Sequence, residues 1–156
     1  MSRAKQIRLC FPDEGASASA RLLWTEAPAT CEAVLSALPA RGDSHHAIYS
    51  GSECVLLLPE VLRLPKENAT SKVRRGQVAF TWMQAGAAYG VEQDFAEVCW
   101  FYDLDAEPRM WGGVVEVNIF AEITEPADDF YRVCFRMRRE GVKPLLIESA
   151  PEEDTP

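Results

Sequence analysis

The chain has 156 residues, 47% of them hydrophobic, enough for one compact domain with a real core and too few for two ordinary ones. Sixteen basic residues stand against 24 acidic ones, a net charge of -8, which leaves no electrostatic footprint for a phosphate backbone and excludes nucleic acid as an expected partner. No stretch approaches the ~20 apolar residues of a membrane span and no signal-like apolar run follows the basic start, so the expectation is a cytoplasmic protein with no membrane partner.

In chain order, Gln6 to Phe11 alternates Ile7, Leu9 and Phe11 with polar neighbours, the period of a half-buried strand, and Pro12-Asp13-Glu14-Gly15 supplies a turn. Arg21 to Thr25 is the expected hairpin partner. Pro28 suits the first turn of a helix, where its missing amide hydrogen costs nothing, and Cys31, Val34, Leu35 and Leu38 repeat at helical spacing until the break Pro39 to Asp43. His45 to Ser50 and Ser52 to Leu58 read as strands about a Ser50-Gly51 turn. The run Val55 to Leu58 does not alternate, as expected where both faces are covered.

Glu60 to Arg75 is polar and reads as a surface excursion. Gln77 to Met83 and Glu97 to Leu104 are strand-like, separated by the permissive Ala85-Gly86-Ala87-Ala88-Tyr89-Gly90, where backbone can approach a ligand. Val114 to Thr124 reads as one long strand, its Glu116, Asn118, Phe120 and Glu122 facing water. Phe130, Val133, Cys134 and Met137 mark a second helix, stopped by Gly141, and Leu145 to Ile147 adds a last strand. Roughly seven or eight closely spaced strands and two helices, without regular alternation, predict a mainly β protein, a closed antiparallel β-barrel with two helices. The domain is expected over residues 1–148, with 149–156 an acidic, disordered tail.

Pro28-Ala29-Thr30-Cys31-Glu32-Ala33-Val34 resembles the helix pattern Pro-x-Thr-x-Glu-Asn-Phe of cyclophilins, departing at Ala33 and Val34. Gly76 to Gly90, with Met83, Ala85 and Gly86, resembles their next strand and loop. The span from Ala27 to about Thr124 looks like an uncharacterised bacterial family with a cyclophilin-like barrel, through Glu-Ala-Pro-x-Thr-Cys-Glu-Ala-Val and then His-Ala-x-Tyr-Ser-Gly-x-Glu. The resemblance implies a cyclophilin-like fold. It does not carry the activity with it, because His46 stands where cyclophilins keep the arginine that stabilises the twisting prolyl amide. A guanidinium is always charged, whereas a histidine near its reference pKa of about 6.5 is mostly neutral at pH 7.

No complete signature for a nucleotide, a structural metal or a nucleophilic triad is present, and no cofactor or metal is expected. The two histidines are adjacent, so in a strand His45 and His46 point to opposite faces and cannot easily share an ion. The five cysteines are widely spaced within apolar runs and read as reduced core residues. A two-residue turn at Ser50-Gly51 would put His46, Ile48 and Glu53 on one face, where an imidazole and a carboxylate can meet; a polar hairpin edge is the plainer reading. Trp82, Tyr89, Trp100, Tyr102 and Trp111 gather around the small-residue loop, an aromatic composition suited to a small-molecule pocket, though Trp100 reads as core. The acidic residues Glu92, Asp94, Glu97, Asp103, Asp105 and Glu107 read as solvated loop ends. Arg109 can clamp a carboxylate or simply precede a glycine turn.

The expected site is therefore a groove using His46, Glu53, Trp82, Tyr89, Tyr102 and Trp111 to bind a small molecule, with His46 and Glu53 as catalytic candidates. The alternatives are a weak prolyl isomerase or hydrolase and a non-catalytic module assembling as a homo-oligomer, for which the long two-faced strand is the argument.

Overall fold

The computed structural model describes residues 3–150. Its elements are β1 (Gln6–Phe11), β2 (Ala16–Leu22), α1 (Pro28–Ser36), β3 (Ala40–His46), β4 (Glu53–Leu57), β5 (Ala69–Thr70), β6 (Gln77–Met83), β7 (Phe95–Phe101), β8 (Arg109–Met110), β9 (Gly113–Val114), β10 (Val117–Ile123), α2 (Asp128–Glu140) and β11 (Lys143–Ala150). Eight strands pair in the order β2, β1, β11, β3, β4, β7, β6, β10, and β10 returns to β2 through Ala121 opposite Leu22 and Ile123 opposite Ala20. All pairings are antiparallel, so the chain is a closed antiparallel barrel with two helices, as expected. Closure removes the unpaired edges that an open sheet exposes.

The interior follows from alternation. Ile7, Leu9 and Phe11 of β1 meet Leu56, Val98, Trp100, Leu145 and Ile147, while Cys31 and Val34 of α1 and Phe130, Cys134 and Met137 of α2 turn into the same core. A second, smaller apolar layer lies outside the sheet. There Cys99 and Phe101 of β7, Ala79 of β6 and Val117 and Ile119 of β10 are covered by Val73, Ala106 and Val115. The segment carrying β8 and β9 therefore roofs one outer face, and this roof builds the groove described below.

Several boundaries differ from expectation, each for a local reason. The partner of β1 begins at Ala16 and not at Arg21; Ala16, Ala18 and Ala20 face inward between serines, a pattern of low apolar contrast. No break follows Pro39, since β3 starts at Ala40 and Gly42 pairs within the strand with Leu145. The expected tight turn at Ser50-Gly51 is a longer loop between β3 and β4, with His46 opposite Cys54 and not Val55. That one-residue shift reverses the face. β7 starts at Phe95 and ends at Phe101. The strand expected from Val114 is two pieces; in β10 Val117 and Ile119 lie in the outer apolar layer, Phe120 faces the core, and a bulge between Ile119 and Ala121 brings Ala121 inward beside it, so the expected wet face is absent there. Ser149 and Ala150, expected in the tail, are the end of β11 and pair with β1; 151–156 lie outside the described residues.

Candidate functional site

The antiparallel register of β4 and β7 sets Glu53 opposite Phe101, Val55 opposite Cys99 and Leu57 opposite Glu97. Glu53, Val55, Leu57 and Glu97 thus share the outer face, with the glutamates bracketing the Val55 and Cys99 pair. They floor a groove of about 620 Å³, walled by the loop from His46 to Ser50, by Leu58 to Val61, by Gly90 to Phe95 and by Arg109 and Met110 of β8. This size suits a small organic ligand.

Glu53 is only 5% exposed. Burial pushes its carboxyl up, while hydrogen bonds with the Ser50 hydroxyl and the Cys99 thiol pull it back. Glu97 is half-buried; burial, with the Glu53 charge adding to it, pushes its carboxyl up to about 8. At about pH 7 the raised Glu97 carboxyl is mostly protonated, so it can donate a hydrogen bond to a ligand as well as accept one.

The wall is built by Ser50 and Gly51. The Ser50 hydroxyl accepts from the Arg109 N–H at 2.9 Å, and its carbonyl accepts from the Glu107 N–H at 2.9 Å, fastening the β3 to β4 loop to the roof. Gly51 has φ +73°, and a Cβ there would collide with the Asp105 carbonyl. Beyond the groove, Tyr49 meets Trp111 edge-on with centroids 5.8 Å apart, and Tyr89 lies 6.2 Å from Trp111. Trp111 and Tyr89 are 66% and 78% exposed, so this aromatic trio is a surface and not core.

His46 sits where the groove meets the barrel rim. Its Nδ1 lies 2.8 Å from the Ala47 carbonyl, which can only accept, so Nδ1 carries the proton and Nε2 accepts the Tyr102 hydroxyl at 2.6 Å. Arg138 Nε donates to the same hydroxyl at 2.9 Å, and its Nη2 donates to the Ser52 hydroxyl at 2.9 Å. Burial holds the imidazole below its ordinary range; the Ala47 carbonyl opposes this and the Arg138 charge reinforces it. Both ring nitrogens are engaged.

Of the residues expected at the site, His46 and Glu53 border the groove, and Tyr89 and Trp111 join Tyr49 at its mouth. The expected meeting of His46 with Glu53 does not occur: the register turns Glu53 outward, and His46 bonds Tyr102 instead. The expected aromatic cluster is dispersed. Trp82 lies elsewhere, donating from Nε1 to the Leu64 carbonyl at 2.9 Å, while Tyr102 and the fully buried Trp100 face the barrel interior. Cys31, Cys54, Cys99 and Cys134 are buried free thiols, as expected. Arg109 borders the groove with its guanidinium on Glu107 at 2.6 Å. The acidic loop-end reading fails at Glu97, which lies inside β7; the visible signal is a lone charge in Phe95-Ala96-Glu97-Val98-Cys99-Trp100-Phe101.

Residues 9–148 match the family model described as a protein of unknown function, DUF3830. The chain belongs to this family. No curated protein matches the sequence. Among the solved structures that share the fold are two of low identity. One, described as the structure of McbB in complex with tryptophan, is 16% identical with a TM-score of 0.65, over 97% of this chain and 47% of that one. This DUF3830 chain therefore spans about half the length of that McbB chain. The other, the solution structure of the hypothetical protein AF2241 from Archaeoglobus fulgidus, is 19% identical with a TM-score of 0.61, over 96% of this chain and 98% of that one. At these identities the likeness speaks for the barrel. Among the described residues no helix is long and apolar enough to cross a membrane.

Proposed function

We propose that this member of the DUF3830 family binds a small molecule in the groove over β4 and β7. The observation that carries the reading is the pair Glu53 and Glu97 set into a largely apolar floor with Val55 and Leu57, beside an exposed aromatic trio. Buried ionisable groups are costly, and a pair of them kept in one concave site marks it as a candidate for binding. The complex of McbB with tryptophan agrees with a small-molecule role for this fold.

The reading does not need His46 as a base. Its Nδ1 and Nε2 are both in hydrogen bonds, so the imidazole braces the rim through Tyr102 and Arg138. A ligand-observed NMR screen with a fragment set of mixed charge tests the proposal, run on the wild type and on Leu57→Trp, which narrows the groove from a half-exposed position. Fragments should bind the wild type and be lost in the variant. Hits indifferent to Leu57→Trp, or no hits, would remove the groove as the site.

A further inference from the structure

Two glutamates rise from the outer face of neighbouring strands, and the Val55 and Cys99 pair lies between them in register. Among the described residues no lysine or arginine pairs with either, and the Glu97 carboxyl, which lines the groove, makes no hydrogen bond. The guanidinium on the wall, that of Arg109, is held by Glu107 at 2.6 Å. Asp94, at the rim, is likewise satisfied by Arg63 at 2.6 Å and by the Ala85 N–H at 2.7 Å. Among the described residues the groove carboxyls without a basic partner are thus Glu53 and Glu97 on the floor and Glu92 at the rim.

Three kinds of ligand head group can be compared against this floor. An anion would meet Glu53, Glu97 and, at the rim, Glu92, with no free cation to receive it. A neutral hydroxyl can take one hydrogen bond but brings no counter-charge to the carboxyls. A cationic nitrogen with several N–H donors supplies the counter-charge that no lysine or arginine gives Glu53 or Glu97, and charge-assisted bonds of this kind are about twice as strong as neutral ones. The apolar remainder of such a ligand has Val55, Leu57, Met110 and Tyr49 to cover it.

We propose that the groove selects molecules carrying a cationic amine on an apolar or aromatic body, the nitrogen seated between Glu53 and Glu97. The assignment rests on the groove being the binding site and adds its chemical class. The test uses three probes of one shape, phenethylamine, 2-phenylethanol and phenylacetate, titrated into the full chain while the backbone amide resonances of the groove and the indole N–H of the neighbouring Trp111 are followed by NMR.

Phenethylamine should bind at least about tenfold more tightly than the alcohol, and phenylacetate more weakly than both. In the Glu53→Gln, Glu97→Gln double variant the amine should lose about tenfold and the alcohol should be unchanged. Equal affinities in the wild type, or an amine preference that survives in the double variant, overturn the cation assignment and leave the groove reading standing. Silence of all three probes at the groove also overturns it, and only if the mixed-charge fragment set is silent too does the groove reading fall with it.

Discussion

Glu97 shows how one misplaced charge changes a strand. Its carboxyl is pushed up to about 8, against an ordinary 4.5, by burial first and by Glu53 second. The folded state therefore holds this proton more tightly than the unfolded chain does. The resulting stability is fully present below about pH 4.5 and is lost as the pH rises to about 8. Glu97→Gln keeps the shape and removes the titration. It should match the wild type at pH 5 and exceed it at pH 9 by about 1–2 kcal/mol after allowance for solvent screening, measured by urea unfolding. Parallel pH profiles would contradict the assignment. Gly51 makes a second residue-scale test. Gly51→Ala suffers both the positive φ and the Asp105 carbonyl, whereas Gly15→Ala, at φ +62° with nothing within 4 Å, suffers only the first. Gly15→Ala should cost about 1 kcal/mol and Gly51→Ala clearly more, with lost shift dispersion in the β3 to β4 loop.

Helix α1 depends on a residue far away in sequence. Its N-cap is Ala27, which has no side chain to receive the first amides. Glu67 does so: one oxygen accepts from the Thr30 N–H at 2.8 Å and the Thr30 hydroxyl at 2.7 Å, and the other from the Ala29 N–H at 3.2 Å. Burial works to raise the Glu67 carboxyl, but these bonds from Thr30 and Ala29 outweigh it and hold it below 4.5. This contribution is present above that value and is lost as the pH falls through the lowered one. Glu67→Ala should cost about 1 kcal/mol at pH 7, and the deficit should shrink in acid; a constant deficit would argue against the cap. The sequence makes β1, α1, β6 and α2 legible because each carries strong apolar contrast at one period. It hides β2, whose alternation is alanine against serine, and the bulge of β10, since a register shift leaves no composition signal. The Glu67 cap is hidden for a further reason: the polar segment from Glu60 to Arg75 gives no hint of which helix it reaches.

At the scale of the whole molecule, the barrel has two apolar layers, and the segment carrying β8 over the outer one also walls the groove. The β3 to β4 loop was legible as a turn, and His46 and Glu53 as its notable residues, but their partners were not. A shift of one position in pairing sent Glu53 outward to Glu97 and left His46 to Tyr102 and Arg138. The roof over Phe101 and Ile119 is a long-range contact invisible to local periodicity, so the groove itself could not be read from the chain. If the groove is the binding site, occupation should stabilise the fold by mass action, and ligand should raise Tm in the wild type and not in Leu57→Trp. The most direct measurement is a crystal structure with the tightest-binding fragment. Ligand density over Val55, between Glu53 and Glu97 and within reach of Tyr49, is the predicted result. Density at the outer face of α2 beside Arg75 and Arg132, with an empty groove, would contradict it.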